Sequence, residues 1–110
     1  MTVAGQSRPL REEVDEAVLR IGQEAVANAV RHAQASEIQV SLTYGDRSLG
    51  LRIQDDGQGF NLEDAGRRVG HWGLRNMQER AQKVGAEWEV TSAAGRGTEI
   101  EAIVPLAAEE

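Results

Sequence analysis

The sequence predicts a two-layer α/β sandwich, with amphipathic helices covering one face of a sheet. Two observations carry that assignment. Four stretches, 37–44, 49–55, 87–92 and 98–104, alternate apolar and polar residues with period two, as strands with one buried face do. Two others, about 12–34 and 73–84, space their apolar residues at three and four, as helices with one buried stripe do. One-sided strands and one-sided helices bury their apolar sides against each other as one layer on another. A length of 110 residues allows a single domain over 1–110, with a modest core over about 10–105.

The elements follow in order. A short extended piece opens the chain. In the first helix, Val14, Val18, Leu19, Gly22, Ala25, Val26, Ala29, Val30 and Ala33 form a broad apolar and small-residue face. Glu24 and Asn28 lie outside that stripe, four residues apart on one edge, with His32 a turn further on. They face either solvent or a cleft beside the core. Ile38, Val40, Leu42 and Tyr44 then alternate along a strand, and Gly45-Asp46-Arg47-Ser48 reads as a hairpin turn. In the next strand Leu49, Leu51 and Ile53 share a face, and Asp55 falls on that same inward face.

An inward carboxylate at a strand end costs several kcal/mol unless something hydrogen-bonds to it. Gly57 and Gly59 follow in Asp55-Asp56-Gly57-Gln58-Gly59-Phe60, and bare backbone there allows a ligand to come close. Either Asp55 closes a tight turn, or it waits for a donor on a ligand. Residues 61–72, rich in Gly, Arg and acids, are expected to be the mobile segment. Leu74, Met77, Ala81 and Val84 mark the second helix, and Gly85 is a C-terminal stop. Gly73 then sits at a helix N-terminus, where free N–H groups favour phosphate. Trp88 and Val90, then Ile100, Ala102 and Val104, alternate on two strands around Gly95-Arg96-Gly97-Thr98, a hairpin turn or another point of close approach. Taken singly, these glycines are weak signals, since glycines usually serve turns.

Composition narrows the function classes. Apolar content of 40% suits a soluble globular protein, and no segment approaches the roughly 20-residue apolar run of a membrane helix. With no cysteine there are no disulfides or thiolate zinc sites, and two isolated histidines make a poor metal site. A net charge of −6, no basic stripe and few aromatics argue against a nucleic-acid surface. Met1-Thr2-Val3-Ala4-Gly5 lacks the basic start and apolar core of a signal peptide, and the abrupt beginning suggests an excised domain.

The order of the motifs is more specific than any one of them. Glu24 to Ala33, then Asp55-x-Gly57-x-Gly59-Phe60, then Gly73-Leu74-x-x-Met77-x-x-Arg80-Ala81, then Gly95-x-Gly97-Thr98, resembles the ATP-binding catalytic domain of sensor histidine kinases. That superfamily is shared with gyrase, Hsp90 and MutL, and the match is nearest to kinases that signal to helix-turn-helix response regulators. The resemblance runs from about Leu10 to Pro105. It implies a Bergerat-type ATP-binding fold, a mixed sheet covered on one face by helices.

Carried over by residue, the resemblance implies that Asn28 coordinates Mg²⁺ and Glu24 orients or polarises the attacking imidazole. Asp55 would accept from the adenine amino group, and Gly57 and Gly59 would let the backbone approach the nucleotide. Gly73, with Leu74 and the helix they open, would meet the phosphates; Gly97 and Thr98 would sit by the adenine, Thr98 through a water shared with Asp55. His32 falls within the first nucleotide motif without a defined role. The cofactors implied are ATP and Mg²⁺. The partners implied are the dimerisation and phosphoacceptor domain of the same kinase and, indirectly, a response regulator. The domain itself is expected to be a cytoplasmic monomer within a full-length protein that is free to be membrane-bound.

The chain also departs from the family pattern. Trp72 interrupts the usual Gly-x-Gly before the second helix, leaving Gly70 and Gly73, and Asn76 stands where glycine is frequent. Only thirteen residues, 61–73, separate the first glycine box from that helix, so the ATP lid is short. No segment resembles the phosphoacceptor helix, and His32 and His71 lie in nucleotide motifs, so the isolated domain is expected to be nearly inactive. Two rival readings stand beside this one: a serine-kinase anti-sigma factor of the same fold, and a degenerate docking module without nucleotide.

Overall fold

In the computed structural model, which describes residues 2–6, 9–31, 34–59, 74–93 and 95–106, the strand alternation becomes a layered sheet. The elements are β1 (Thr2–Ala4), α1 (Glu12–Arg31), β2 (Ile38–Tyr44), β3 (Ser48–Asp55), α2 (Leu74–Lys83), β4 (Glu87–Ser92) and β5 (Thr98–Pro105). Strand order is β1-β2-β3-β5-β4. Among the described residues only the β1–β2 pair is parallel, with Thr2 opposite Ser41 and Ala4 opposite Thr43. The other three pairs are antiparallel, so the sheet is mixed. The opening extended piece is therefore a short edge strand, and α1 is the crossover that a parallel pair requires.

Register stacks the inward residues in rows that run across the strands. Tyr44, Leu49 and Val104 form one row. Leu42, Leu51, Ala102 and Trp88 form the next, and Val40, Ile53, Ile100 and Val90 the third. The last row is Ile38, Asp55, Thr98 and Ser92, where apolar side chains give way to polar ones. On the opposite face lie Arg52, Glu89, Glu99 and Glu101, with Arg52 ion-paired to Glu99. That is the one-sidedness the alternation predicts.

The helices cover the apolar rows. Val14 packs with Leu49 and Val104, and Ile21 and Ala25 pack with Leu51, Ile53 and Ile100. Hence α1 runs from the Tyr44 row towards the Asp55 row. Glu12, Glu13 and Asp15 in its first turn and Arg31 in its last suit the helix dipole. From α2, Met77 and Ala81 enter the same core. Its C-terminus is a Schellman motif, as the position of Gly85 predicts. Gly85 has φ +72°, its N–H donates to Gln82 O, and the Ala86 N–H donates to Ala81 O.

The buried stripe of α1 differs from the one expected. It comprises Val14, Ala17, Ile21, Ala25 and Ala29, whereas Leu19 and Val30 are 58% and 62% exposed. Helical phase explains the difference. At about 100° per residue the stripe centres near Ile21, and Leu19 and Val30 fall roughly 140–160° away from that centre. The same phase brings Asn28 closer to the sheet than Leu19, and both Glu24 and Asn28 are half-buried.

Candidate functional site

Asp55 ends β3 in the polar row, with Ile38 opposite it on β2 and Thr98 opposite it on β5. It is half-buried, and its Oδ1 accepts a 2.8 Å hydrogen bond from the Gly57 N–H. A carboxylate has room for several donors. Among the described residues Gly57 alone donates to this one, leaving Oδ2 without a partner.

Asp56 has the opposite fate, as strand parity requires. Its Oδ1 accepts the amides of Ser36 and Glu37, each at 2.9 Å, and its Oδ2 accepts the Ser36 hydroxyl at 2.7 Å. The Ser36 hydroxyl first, and the Glu37 amide after it, hold the Asp56 carboxyl below its ordinary value. Asp56 thus ties the chain entering β2 to the end of β3, and Asp55 is the acid left with capacity.

Beside Asp55, the two glycine segments clasp each other. Gly95 N–H donates to Gln58 O. Gly59 and Gly97 have φ +67° and +76°; a Cβ on Gly59 would collide with the Ala93 carbonyl, and one on Gly97 with the Asp55 carbonyl. Close backbone approach is therefore required here by protein packing itself. Gly57 spends its N–H on Asp55.

Thr98 is 9% exposed, the one buried polar residue among those described. Ser92 completes the row on β4. Its Oγ lies 3.0 Å from the Gly97 carbonyl oxygen and 2.9 Å from Thr98 Oγ1. Two hollows of about 170 and 180 Å³ adjoin Asp55, and both also include Gln54. Gln54 points to the outer face, so these hollows wrap the sheet end and are not the space between sheet and helices.

The structure thus brings Asp55, Gly57, Gly59, Gly97 and Thr98 together at one end of the sheet, with α1 carrying Glu24 and Asn28 towards that end. Leu74, at the start of α2, packs against the core. His32, Gly73 and the 61–72 segment expected to be mobile lie outside the described residues. Sequence reading missed Ser92 and Asp56. Ser92 shares strand parity with Trp88 and Val90, which was a usable signal, but only register shows that it meets Thr98.

The family described as Histidine kinase-, DNA gyrase B-, and HSP90-like ATPase matches residues 13–108. The chain belongs to that family. Over 105 residues, this ATPase domain is 37% identical to the sensor histidine kinase LiaS of Bacillus subtilis (strain 168), covering 96% of this chain and 29% of LiaS. Over 97 residues it is 39% identical to the sensor protein VraS of Staphylococcus aureus (strain COL), covering 88% of this chain and 27% of VraS. Its fold matches the histidine kinase domain of the Erythrobacter litoralis EL346 blue-light activated histidine kinase. The TM-score is 0.74 at 26% identity, over 96% of this chain and 53% of that one. The chain therefore spans less than a third of the length of LiaS or VraS. The expected two-layer fold with its mixed sheet is the fold observed, and it is shared with histidine kinase ATPase domains.

Proposed function

We propose that this ATPase domain binds ATP with Mg²⁺ and supplies the γ-phosphoryl group to a histidine on a separate dimerisation domain, in two-component signalling. The observation that carries this reading is the half-buried Asp55, with one carboxylate oxygen unengaged, in register with buried Thr98. A donor-bearing base edge supplies what Oδ2 lacks, and the adenine amino group is such a donor. Gly57, Gly59 and Gly97 shape the backbone around the base. Asn28 would offer its side-chain amide oxygen to the metal, with Gly73 and Leu74 on the phosphate side, and His32 carries no assigned role.

Among the described residues, no cluster of three or more acids or histidines stands ready for a metal. That suits Mg²⁺, which is usually held by one or two protein groups together with substrate phosphates and water. Bound there, Mg²⁺ would neutralise charge developing on the phosphates. Glu24, one turn before Asn28, would orient the incoming imidazole. The acceptor histidine belongs to a partner domain, so transfer depends on docking, and the domain alone is expected to turn over very slowly.

The test separates metal from chemistry. Asn28→Ala is expected to weaken Mg–ATP binding well beyond its effect on metal-free nucleotide, measured by titration with and without chelator. Glu24→Gln is expected to keep affinity and slow phosphotransfer to a supplied phosphoacceptor domain. If Glu24→Gln abolishes binding or unfolds the domain, Glu24 has a structural role instead.

A further inference from the structure

The polar row contains a fixed proton order. A carbonyl oxygen only accepts, so across the 3.0 Å contact with Gly97 O the Ser92 hydroxyl must donate. That hydroxyl has one hydrogen. In the 2.9 Å contact between Ser92 Oγ and Thr98 Oγ1, Thr98 is therefore the donor. Thr98 also has one hydrogen, and Ser92 takes it. Towards any third group Thr98 offers lone pairs alone.

We propose that Ser92 is a positioning residue for base specificity: by claiming the Thr98 proton, it turns the Asp55–Thr98 corner into an all-acceptor surface. The inference rests on the ATP reading above and deepens it. Directly opposed residues on an antiparallel pair have Cβ atoms about 4.5–5.5 Å apart, so Asp55 and Thr98 present their oxygens to one ligand edge. Such an edge must bring hydrogens, from an exocyclic amino group or from a water that also donates to the base. A purine carrying a carbonyl at that position finds no proton and leaves buried acceptors facing each other, which is costly. Selection against 6-oxopurines then comes from a residue that never touches the base. Ser92 sits at the end of β4, and the Gly97 carbonyl it binds belongs to the turn in which a Cβ on Gly97 would collide with the Asp55 carbonyl. The same clasp that shapes the corner sets its proton order.

Replacing Ser92 with Ala frees the Thr98 hydroxyl to rotate and donate. Calorimetric titration of this chain with ATP and with ITP, in wild type, Ser92→Ala, Ser92→Thr, Thr98→Val and Ser92→Ala/Thr98→Val, tests the idea. The ATP-over-ITP affinity ratio is expected to fall roughly 3- to 10-fold in Ser92→Ala, about the worth of one hydrogen bond. Ser92→Thr, which keeps a hydroxyl, is expected to retain the ratio. In the Thr98→Val background, Ser92→Ala is expected to change the ratio no further. An equal loss of both affinities with the ratio unchanged would show that Ser92 only braces the turn, and would overturn the proposal. So would an undiminished effect of Ser92→Ala when Thr98 is already Val. Wild type that binds neither nucleotide would overturn the ATP reading and this inference with it, an outcome distinct from the other two.

Discussion

Asp55 and Asp56 are adjacent and chemically identical, yet the fold gives them different work. Strand parity sends Asp55 to the helix-covered side, where it keeps an unengaged oxygen, and sends Asp56 to the three donors of Ser36 and Glu37. The Asp56 carboxyl is held below its ordinary value of 3.8 in the fold. A group with a depressed folded pKa stabilises above its unfolded pKa, and that contribution is lost as pH falls through the folded value. Asp56 should therefore help hold β2 to β3 at neutral pH, a contribution that begins to fall below about pH 3.8 and is gone once pH has passed the folded value. Asp56→Asn, followed by denaturant unfolding from pH 7 to pH 2, should be less stable than wild type at pH 7 and converge with it in acid. Parallel curves across that range would remove Asp56 from the clamp.

At the scale of elements, α1 does two jobs with one face. That face buries Val14, Ala17, Ile21, Ala25 and Ala29 on the sheet, and by helical phase the half-buried Asn28 falls within it and the half-buried Glu24 at its edge. Leu19 and Val30 lie away from it. Ile21 is 2% exposed within the main core cluster, so Ile21→Ala should cost about 2–5 kcal/mol of stability. Leu19→Gln should fall within about 0.5 kcal/mol of wild type, as exposed substitutions do. Thermal or urea unfolding of the two variants reads this directly. A large loss for Leu19→Gln with little for Ile21→Ala would restore the stripe that the sequence first suggests. The β4–β5 hairpin is the other element with a double role, since its turn both clasps Gln58 and delivers Thr98 beside Asp55.

Across the whole molecule, what was legible in sequence is what strict periodicity encodes. Four strands announced themselves because inward positions are large and outward ones polar, and Asp55 stood out by breaking that rule on the inward side. The phase of α1 was obscured because alanine and glycine line much of the helix and barely distinguish core from surface. The pairing of β1 was not legible, since Thr2–Ala4 is exposed throughout and carries no inward signal. Ser92 was hidden for another reason: its importance lies in a cross-strand register that no local pattern records. Asp55, the glycines and Thr98 could be read as candidates from the sequence, and the contacts that join Ser92 to Gly97 and Thr98 could not. The central claim is that this corner recognises adenine through Asp55, and one calorimetric comparison tests it most directly. Wild type should bind ATP well and GTP poorly, because GTP presents a carbonyl where adenine presents its amino group. Asp55→Asn should lower ATP and ADP affinity together by roughly 10- to 100-fold, the worth of one charge-assisted hydrogen bond. Equal wild-type affinity for ATP and GTP, or an Asp55→Asn variant that binds ATP as wild type does, would contradict the account.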